Sequence, residues 1–305
     1  MNIQNVAIIG MGAIGCAYGS KLYDWNPSAL RVIAGGERAE KYKRDGFLVN
    51  GRHYSFPCIS PEEETGPADL VILAVKSYQL PEAIRHMKNQ VGKDTIIVSL
   101  LNGISSEEIL AETFGPDHVL YAMCVSIDAN REGNSVTYTS LGTIVFGERQ
   151  NRVLSPQVKA VMELFEKASI PYRVPEDMYR ELWWKYMINV GINQCSAVLR
   201  GRYGLFQSNE YARQLMESAM REVIQLSHKT GANLSEDDLA RWYDVLHALN
   251  PASRTSMLED VENGRVTEVD AFSGTVCRLG EKYGVETPVN RTLYYMIKAM
   301  EPQNR

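Results

Sequence analysis

Cysteine, histidine and one-sided charge are all sparse in this chain, and each scarcity argues against a class of protein. Its five cysteines (Cys16, Cys58, Cys124, Cys195, Cys277) are odd in number, scattered, and include no C-x-x-C pair. That argues against a disulfide framework and against a thiolate zinc site. The five histidines show no metal-ligand spacing, so no metal is expected. A net charge of only −5 argues against nucleic acid or an anionic membrane surface as the main partner. No apolar run is long and uncharged enough to span a bilayer. The chain enters Val6-Ala7-Ile8-Ile9 without a basic n-region or cleavage site, and a cytoplasmic location is therefore expected.

What is present is an ordinary globular composition, 45% hydrophobic and 23% charged over 305 residues. This is enough chain for one large or two medium domains. Up to about residue 125, short apolar runs alternate with amphipathic segments. Val6–Gly10, Arg31–Ala34, Leu70–Val75, Ile96–Leu101 and Val119–Val125 read as strands. The segments around Gly12–Tyr23, Gly36–Asp45, Gln79–Gln90 and Ser105–Phe114 read as helices. Such alternation predicts βαβ units and a parallel sheet. Asn130–Gly147 has the alternating, Thr- and Gly-rich character of antiparallel strands, and from Glu176 onward helical periodicity dominates. The expected fold class is α/β: a Rossmann-type dinucleotide-binding domain over residues 1–172, then an all-helical domain over 173–305.

Gly10-Met11-Gly12-Ala13-Ile14-Gly15 follows the first strand directly and opens a helix. The first glycine permits the tight turn, the second lets a pyrophosphate approach the backbone, and the third allows close helix–strand packing. The helix N-terminus supplies a positive dipole for the phosphates. At the tip of the second strand, a carboxylate suits NAD and an arginine suits NADP. This chain offers both, Glu37 and Arg38, behind Gly35-Gly36. Lys76 and Asn102-Gly103 follow the next two strands and point to the same carboxyl edge of the sheet.

The second half contains a stretch that is apolar on nearly every side, from Arg180 to Asn193. Within it Lys185, Asn189 and Asn193 recur every four residues, which places them on one stripe of a helix. An unpaired ammonium in an apolar interior costs several kcal/mol, so the stripe is expected to face a polar binding site. Further on, Thr267 could cap a helix whose first turn holds Glu268, where the dipole favours the ionised form.

Taken together, five signatures resemble the ketopantoate reductase family: Gly10–Gly15, Lys76, Leu101-Asn102-Gly103, Glu181–Lys185 with Asn189 and Asn193, and Ser256-Met257-Leu258 with Thr267–Asp270. They span almost the whole chain in the family's order. The resemblance implies reduction of 2-dehydropantoate to (R)-pantoate with NADPH, on the route to pantothenate and coenzyme A. It implies that Lys185 is the general acid and that Glu268 is an acid beside the lysine and the cofactor. It implies substrate contacts from Asn102, Lys185, Asn189, Asn193, Ser253 and Ser256. Gly10, Met11, Gly12, Ala13, Ile14, Gly15, Lys76, Asn102, Ala129 and Glu268 fall to the cofactor. Two positions depart from the pattern: Gly35 stands where the family usually has an arginine, and Ser253 where it has an asparagine. Arg38 is the substitute candidate for the 2′ contact, with NADP(H) expected and NAD(H) left open. A sibling reading is a D-2-hydroxyacid dehydrogenase for branched or aromatic 2-keto acids, using NADH. A reading of another class is a nucleotide sensor without turnover. The expected partner is a small-molecule 2-keto acid, and the oligomeric state is left open, a homodimer included.

Overall fold

The computed structural model describes residues 2–302. Its strands are β1 (Val6–Ile9), β2 (Leu30–Ile33), β3 (Phe47–Val49), β4 (Arg52–Tyr54), β5 (Cys58–Ile59) and β6 (Leu70–Leu73). They continue with β7 (Ile96–Ser99), β8 (Val119–Val125), β9 (Asn130–Glu132), β10 (Ser135–Thr137), β11 (Thr143–Gly147) and β12 (Tyr172–Arg173). Eight of these build one sheet in the order β12-β11-β8-β7-β6-β1-β2-β5. From β8 to β5 every neighbouring pair is parallel, whereas β11 runs antiparallel to β8.

The apolar runs explain the parallel core. Every residue of β1, β6 and β7 is buried, as expected for strands covered by helices on both faces. Val6 and Ile8 join the core on one face of the sheet, and Ala7 and Ile9 join the core on the other. The order reverses at β1, which lies between β2 and β6, and ligands bind outside the carboxyl ends of the strands at such a switch point.

A second sheet, β4-β3-β10-β9, was not foreseen as a unit. Its first hairpin turns at Asn50-Gly51, where both residues have positive φ (46° and 80°). That is the hand of turn that matches strand twist, and asparagine and glycine accept it readily.

The chain divides into two compact units, residues 1–102 with 106–179, and 103–105 with 180–305. The division falls after Tyr179, a few residues beyond the 172/173 boundary expected from sequence, because the helix Met178–Ile188 runs through it. The second unit is helical throughout its described length. Its longest helix, Glu210–Thr230, starts at Asn209, whose side chain accepts from the Ala212 amide at 3.0 Å, and stops at Gly231 in the left-handed conformation. Among the described residues no helix is long and apolar enough to cross a membrane.

Candidate active site

In the first unit the glycine loop is shaped by two close approaches and one open position. Gly10 has φ +100°, and a Cβ there would lie 2.5 Å from the Ala74 carbonyl carbon. A Cβ on Gly15 would lie 1.9 Å from the Gly10 carbonyl oxygen, so the helix can reach the strand only because position 15 has no side chain. Around Gly12 the space is open, with nothing nearer to a Cβ than the Ala74 oxygen at 3.9 Å. Gly12 caps the helix Ala13–Trp25 with extended backbone and no side-chain bond. The first amides of that helix are therefore available to an anion, and the loop fits a dinucleotide pyrophosphate.

One residue beside this loop escaped the sequence reading. Arg131, on β9, donates through Nη1 to the Met11 carbonyl and through Nε to Gly133 at 2.9 Å. It thus braces the loop and brings a guanidinium next to it. Its place two residues beyond Ala129, in the flagged Asn130–Gly147 segment, was the available signal. Burial pushes the nearby Cys16 thiol up to about 12, while Arg131 pulls the other way. Cys16 is therefore a packing thiol and not a reactive one.

Lys76, Asn102 and Ala129 follow β6, β7 and β8 and are all half-buried at the same carboxyl edge as the loop. Lys76 caps a short 3-10 turn, its amide donating to Gln79 Oε1 at 3.2 Å. Arg38 is exposed in the first turns of the helix Gly36–Asp45.

Asp128 closes the Ala129 loop. It accepts from the Thr139 hydroxyl, from the Thr139 amide at 2.9 Å and from the Ser140 amide at 2.7 Å. The Thr139 hydroxyl bond is the largest cause holding its carboxyl below the usual range. A depressed folded pKa means that the clamp is fully present above about pH 4 and is lost as pH falls through the folded value. Protection of the Thr139 and Ser140 amides, taken relative to intrinsic exchange at each pH, should therefore fall in acid, and Asp128→Ala should lack that protection already at neutral pH.

In the second unit the stripe has the predicted form. Glu181, Lys185 and Asn189 are half-buried, and the residues between them are buried. Asn193 Nδ2 donates to Asn189 Oδ1 at 3.3 Å, so the two amides share a face. Glu181 accepts two bonds from Arg241, at 3.0 and 3.3 Å, and that guanidinium stacks 3.9 Å from the Trp184 ring.

The helix widens to π geometry at Asn189–Asn193 and again at Asp270–Gly274, directly after Glu268. Such wide turns are found preferentially at functional sites. Sequence periodicity gave no sign of them. Within the first, a Cβ on Gly191 would meet the Met220 side chain at 2.5 Å, so the bare position lets the helix Glu210–Thr230 pack closely there.

Four bonds tie the other candidate segments to this helix run. Tyr186 donates to the Phe272 carbonyl at 2.8 Å, and Gln194 Oε1 accepts from the amide and the hydroxyl of Ser273. Thr255, which caps the helix opened by Ser256, donates to Ser196 Oγ at 3.1 Å. Ser253 and Ser256 are exposed, while Glu268 is buried. Thr267 Oγ1 accepts from the Val269 amide at 3.3 Å, the bond of a cap, while its own amide and hydroxyl donate to Glu301.

The bracing network extends to Asn290 and Glu222. Glu222 accepts from the amides of Val289 and Asn290 at 2.8 and 3.0 Å, and from the Asn290 side chain at 2.7 Å. It thereby caps the helix Pro288–Met300, which has no side-chain cap of its own. Glu222→Ala would strip three donors, two of them buried, of their acceptor and is expected to cost about 3 kcal/mol in urea unfolding. A loss within 0.5 kcal/mol would refute that role.

Among the described residues no cluster of His, Cys, Asp or Glu could hold a metal ion. A nicotinamide dinucleotide is the group that these features fit. Family comparison agrees. The model described as ketopantoate reductase PanE/ApbA matches residues 6–151, and its C-terminal counterpart matches residues 177–301. The chain belongs to the ketopantoate reductase family. It is accordingly an NAD(P)-dependent oxidoreductase. It is 30% identical to the 2-dehydropantoate 2-reductase of Aquifex aeolicus strain VF5, over 98% of this chain and 97% of that one. It is 28% identical to the 2-dehydropantoate 2-reductase of Archaeoglobus fulgidus, with 99% of each chain covered.

Solved structures share the fold. The family's ketopantoate reductase from Ralstonia eutropha JMP134 superposes with a TM-score of 0.85 at 23% identity, over 97% of this chain and 98% of that one. A D-mandelate dehydrogenase bound to NADH and anilino(oxo)acetate gives 0.86 at 22%, over 97% of both. A dimeric ketopantoate reductase from Staphylococcus aureus gives 0.81 at 22%, over 97% and 98%.

Proposed function

We propose that this protein reduces 2-dehydropantoate to (R)-pantoate, the step that leads toward pantothenate. The observation that carries the proposal is the Lys185–Asn189–Asn193 face, bonded through Tyr186 and Gln194 to the turn that follows Glu268. Family membership and the Aquifex relative support the substrate.

A bound reduced nicotinamide supplies the hydride that converts the keto carbon to an alcohol carbon. Negative charge develops on the carbonyl oxygen, and the Lys185 ammonium stabilises it and donates the proton. Asn189 and Asn193 bind the substrate's polar groups, joined by Ser256, Ser253 and Asn102. Glu268 keeps the ammonium oriented and charged. Gly10 to Gly15 hold the pyrophosphate, while Lys76, Asn102 and Ala129 line the dinucleotide's path. Given 2-dehydropantoate and reduced coenzyme, the purified protein should form pantoate of R configuration, identified by mass and chiral chromatography. Absence of that product would sink the proposal.

A second reading follows from Ser253, which stands where the family has an asparagine. Loss of that amide favours a D-2-hydroxyacid dehydrogenase acting on branched or aromatic keto acids without the hydroxyl. A homodimer is the assembly to test first, given the dimeric Staphylococcus relative. Five free thiols and a nicotinamide coenzyme suit a cytoplasmic setting.

A further inference from the structure

The adenosine ribose of a dinucleotide meets the tip of the second strand in a sheet of this type, where an acid reads a 2′-hydroxyl and an arginine reads a 2′-phosphate. At that tip the Ala34 amide donates to the Ile59 carbonyl at 3.1 Å, which sets Gly35 beside the turn that begins at Ser60. A Cβ on Gly35 would lie 3.3 Å from Cδ of Pro61. The direction in which a side chain would leave the strand is therefore crowded by a proline ring.

Behind that ring stand carboxylates. The Ser60 hydroxyl donates to Glu62, and the Ser60 amide donates to Glu63 Oε2 at 3.3 Å. The turn is fastened at both ends. Asn89 donates to the Pro61 carbonyl at 3.0 Å, and Arg31 reaches from β2 to the Gly66 carbonyl at 2.7 Å. The bond from Ser60 also holds the Glu62 carboxyl below its usual range, so it is ionised at neutral pH. The opposing positive charges are weaker candidates for a grip. Arg38 and Lys41 are exposed on the helix Gly36–Asp45, Arg44 is paired with Asp45 at 2.7 Å, and Lys43 with Glu40 at 3.7 Å. Glu62 and Glu63 are exposed too, so salt screens all of these charges; what sets the two acids apart is that the Ser60 amide and hydroxyl hold them beside the strand tip.

We infer that Gly35, Pro61 and the Glu62–Glu63 turn make this site prefer a dinucleotide with a free ribose 2′-hydroxyl, so that NADH binds better than NADPH. A hydroxyl can donate to a carboxylate at this tip. A phosphate carrying about −1.5 to −2 charges meets like charge there and, at position 35 itself, no guanidinium fork. The inference departs from the NADPH that the family resemblance implies, and it rests on the chain being a nicotinamide-dependent reductase.

The test is fluorescence titration of the full-length protein with NADH and with NADPH, no keto acid present. NADH is expected to bind about tenfold or more tightly than NADPH. In Glu62→Gln/Glu63→Gln the gap should narrow by about threefold or more through tighter NADPH binding. It should narrow likewise for the unmodified protein in about 0.5 M salt, where charges are screened. The salt arm stands even if the double variant is unstable. NADPH binding as tight as NADH, no binding of either, or a gap that neither arm narrows would overturn the inference. Because no substrate is needed, failure to reduce 2-dehydropantoate leaves this result readable, and the converse also holds.

Discussion

Lys185→Ala is expected to lower kcat by about 10²- to 10⁴-fold, with melting temperature and dinucleotide affinity close to those of the unchanged protein. The magnitude is that of removing a general acid whose charge also stabilises the developing alkoxide. Folding is spared because Lys185 lies on the half-buried stripe, flanked by Trp184 and Tyr186, whose burial holds the helix in place without it. Glu181, one turn earlier in the helix, already accepts from Arg241, so removing the ammonium does not leave that carboxylate bare. Stopped-flow or steady-state rates, paired with a thermal melt and a coenzyme titration, separate the outcomes. An unfolded variant, or one with its rate intact, would mean that the stripe is structural and that the proton comes from elsewhere.

The second large effect belongs to Gly15→Ala. A Cβ at 1.9 Å from the Gly10 oxygen cannot be absorbed by a side-chain rotation, since the opposing atom is backbone. The helix must withdraw from the strand. Overpacking of this kind costs about 1–3 kcal/mol. The larger loss falls on the coenzyme, because the amides at the start of the helix Ala13–Trp25 no longer sit where the pyrophosphate needs them. Dinucleotide affinity is expected to drop by about 10²-fold or more, read by the same titration. Gly12→Ala is the informative control: its Cβ has free space in the absence of ligand, so stability should hold while affinity falls. Normal affinity in both variants would remove the loop from the binding site.

Much of this architecture could be read in advance, and the parts that could not have physical reasons. The parallel strands were legible because Val6-Ala7-Ile8-Ile9, Leu70–Leu73 and Ile96–Ser99 are apolar on both faces, which only a covered strand tolerates. The glycine loop was legible because its three glycines answer three separate steric demands. Of the small sheet, the antiparallel β9–β10 pair falls in the segment expected to form such strands, whereas the β3–β4 hairpin was overlooked since its strands are only three residues long and Leu48 is exposed, leaving the Asn50-Gly51 turn as the strong signal there. The π turns were not legible at all, because a single wide turn leaves hydrophobic periodicity almost unchanged. The bracing residues Gln194, Ser273, Asn290 and Glu222 were hidden for another reason. Each is an ordinary polar residue in a helical stretch, and only the tertiary fold shows that they bond one another in a buried cluster. Arg131 is similar, since its value lies in which carbonyl it reaches.

The decisive measurement is the ratio of kcat/KM for 2-dehydropantoate to that for 2-ketoisovalerate, which lacks only the hydroxymethyl group, each taken with saturating NADH and again with NADPH. A site built around Asn189, Asn193 and Ser256 to bond the substrate hydroxyl should reject the analogue by about 10²-fold or more with either coenzyme. Equal rates, or a preference for 2-ketoisovalerate, would contradict the assignment of 2-dehydropantoate and establish a hydroxyacid dehydrogenase on the same scaffold.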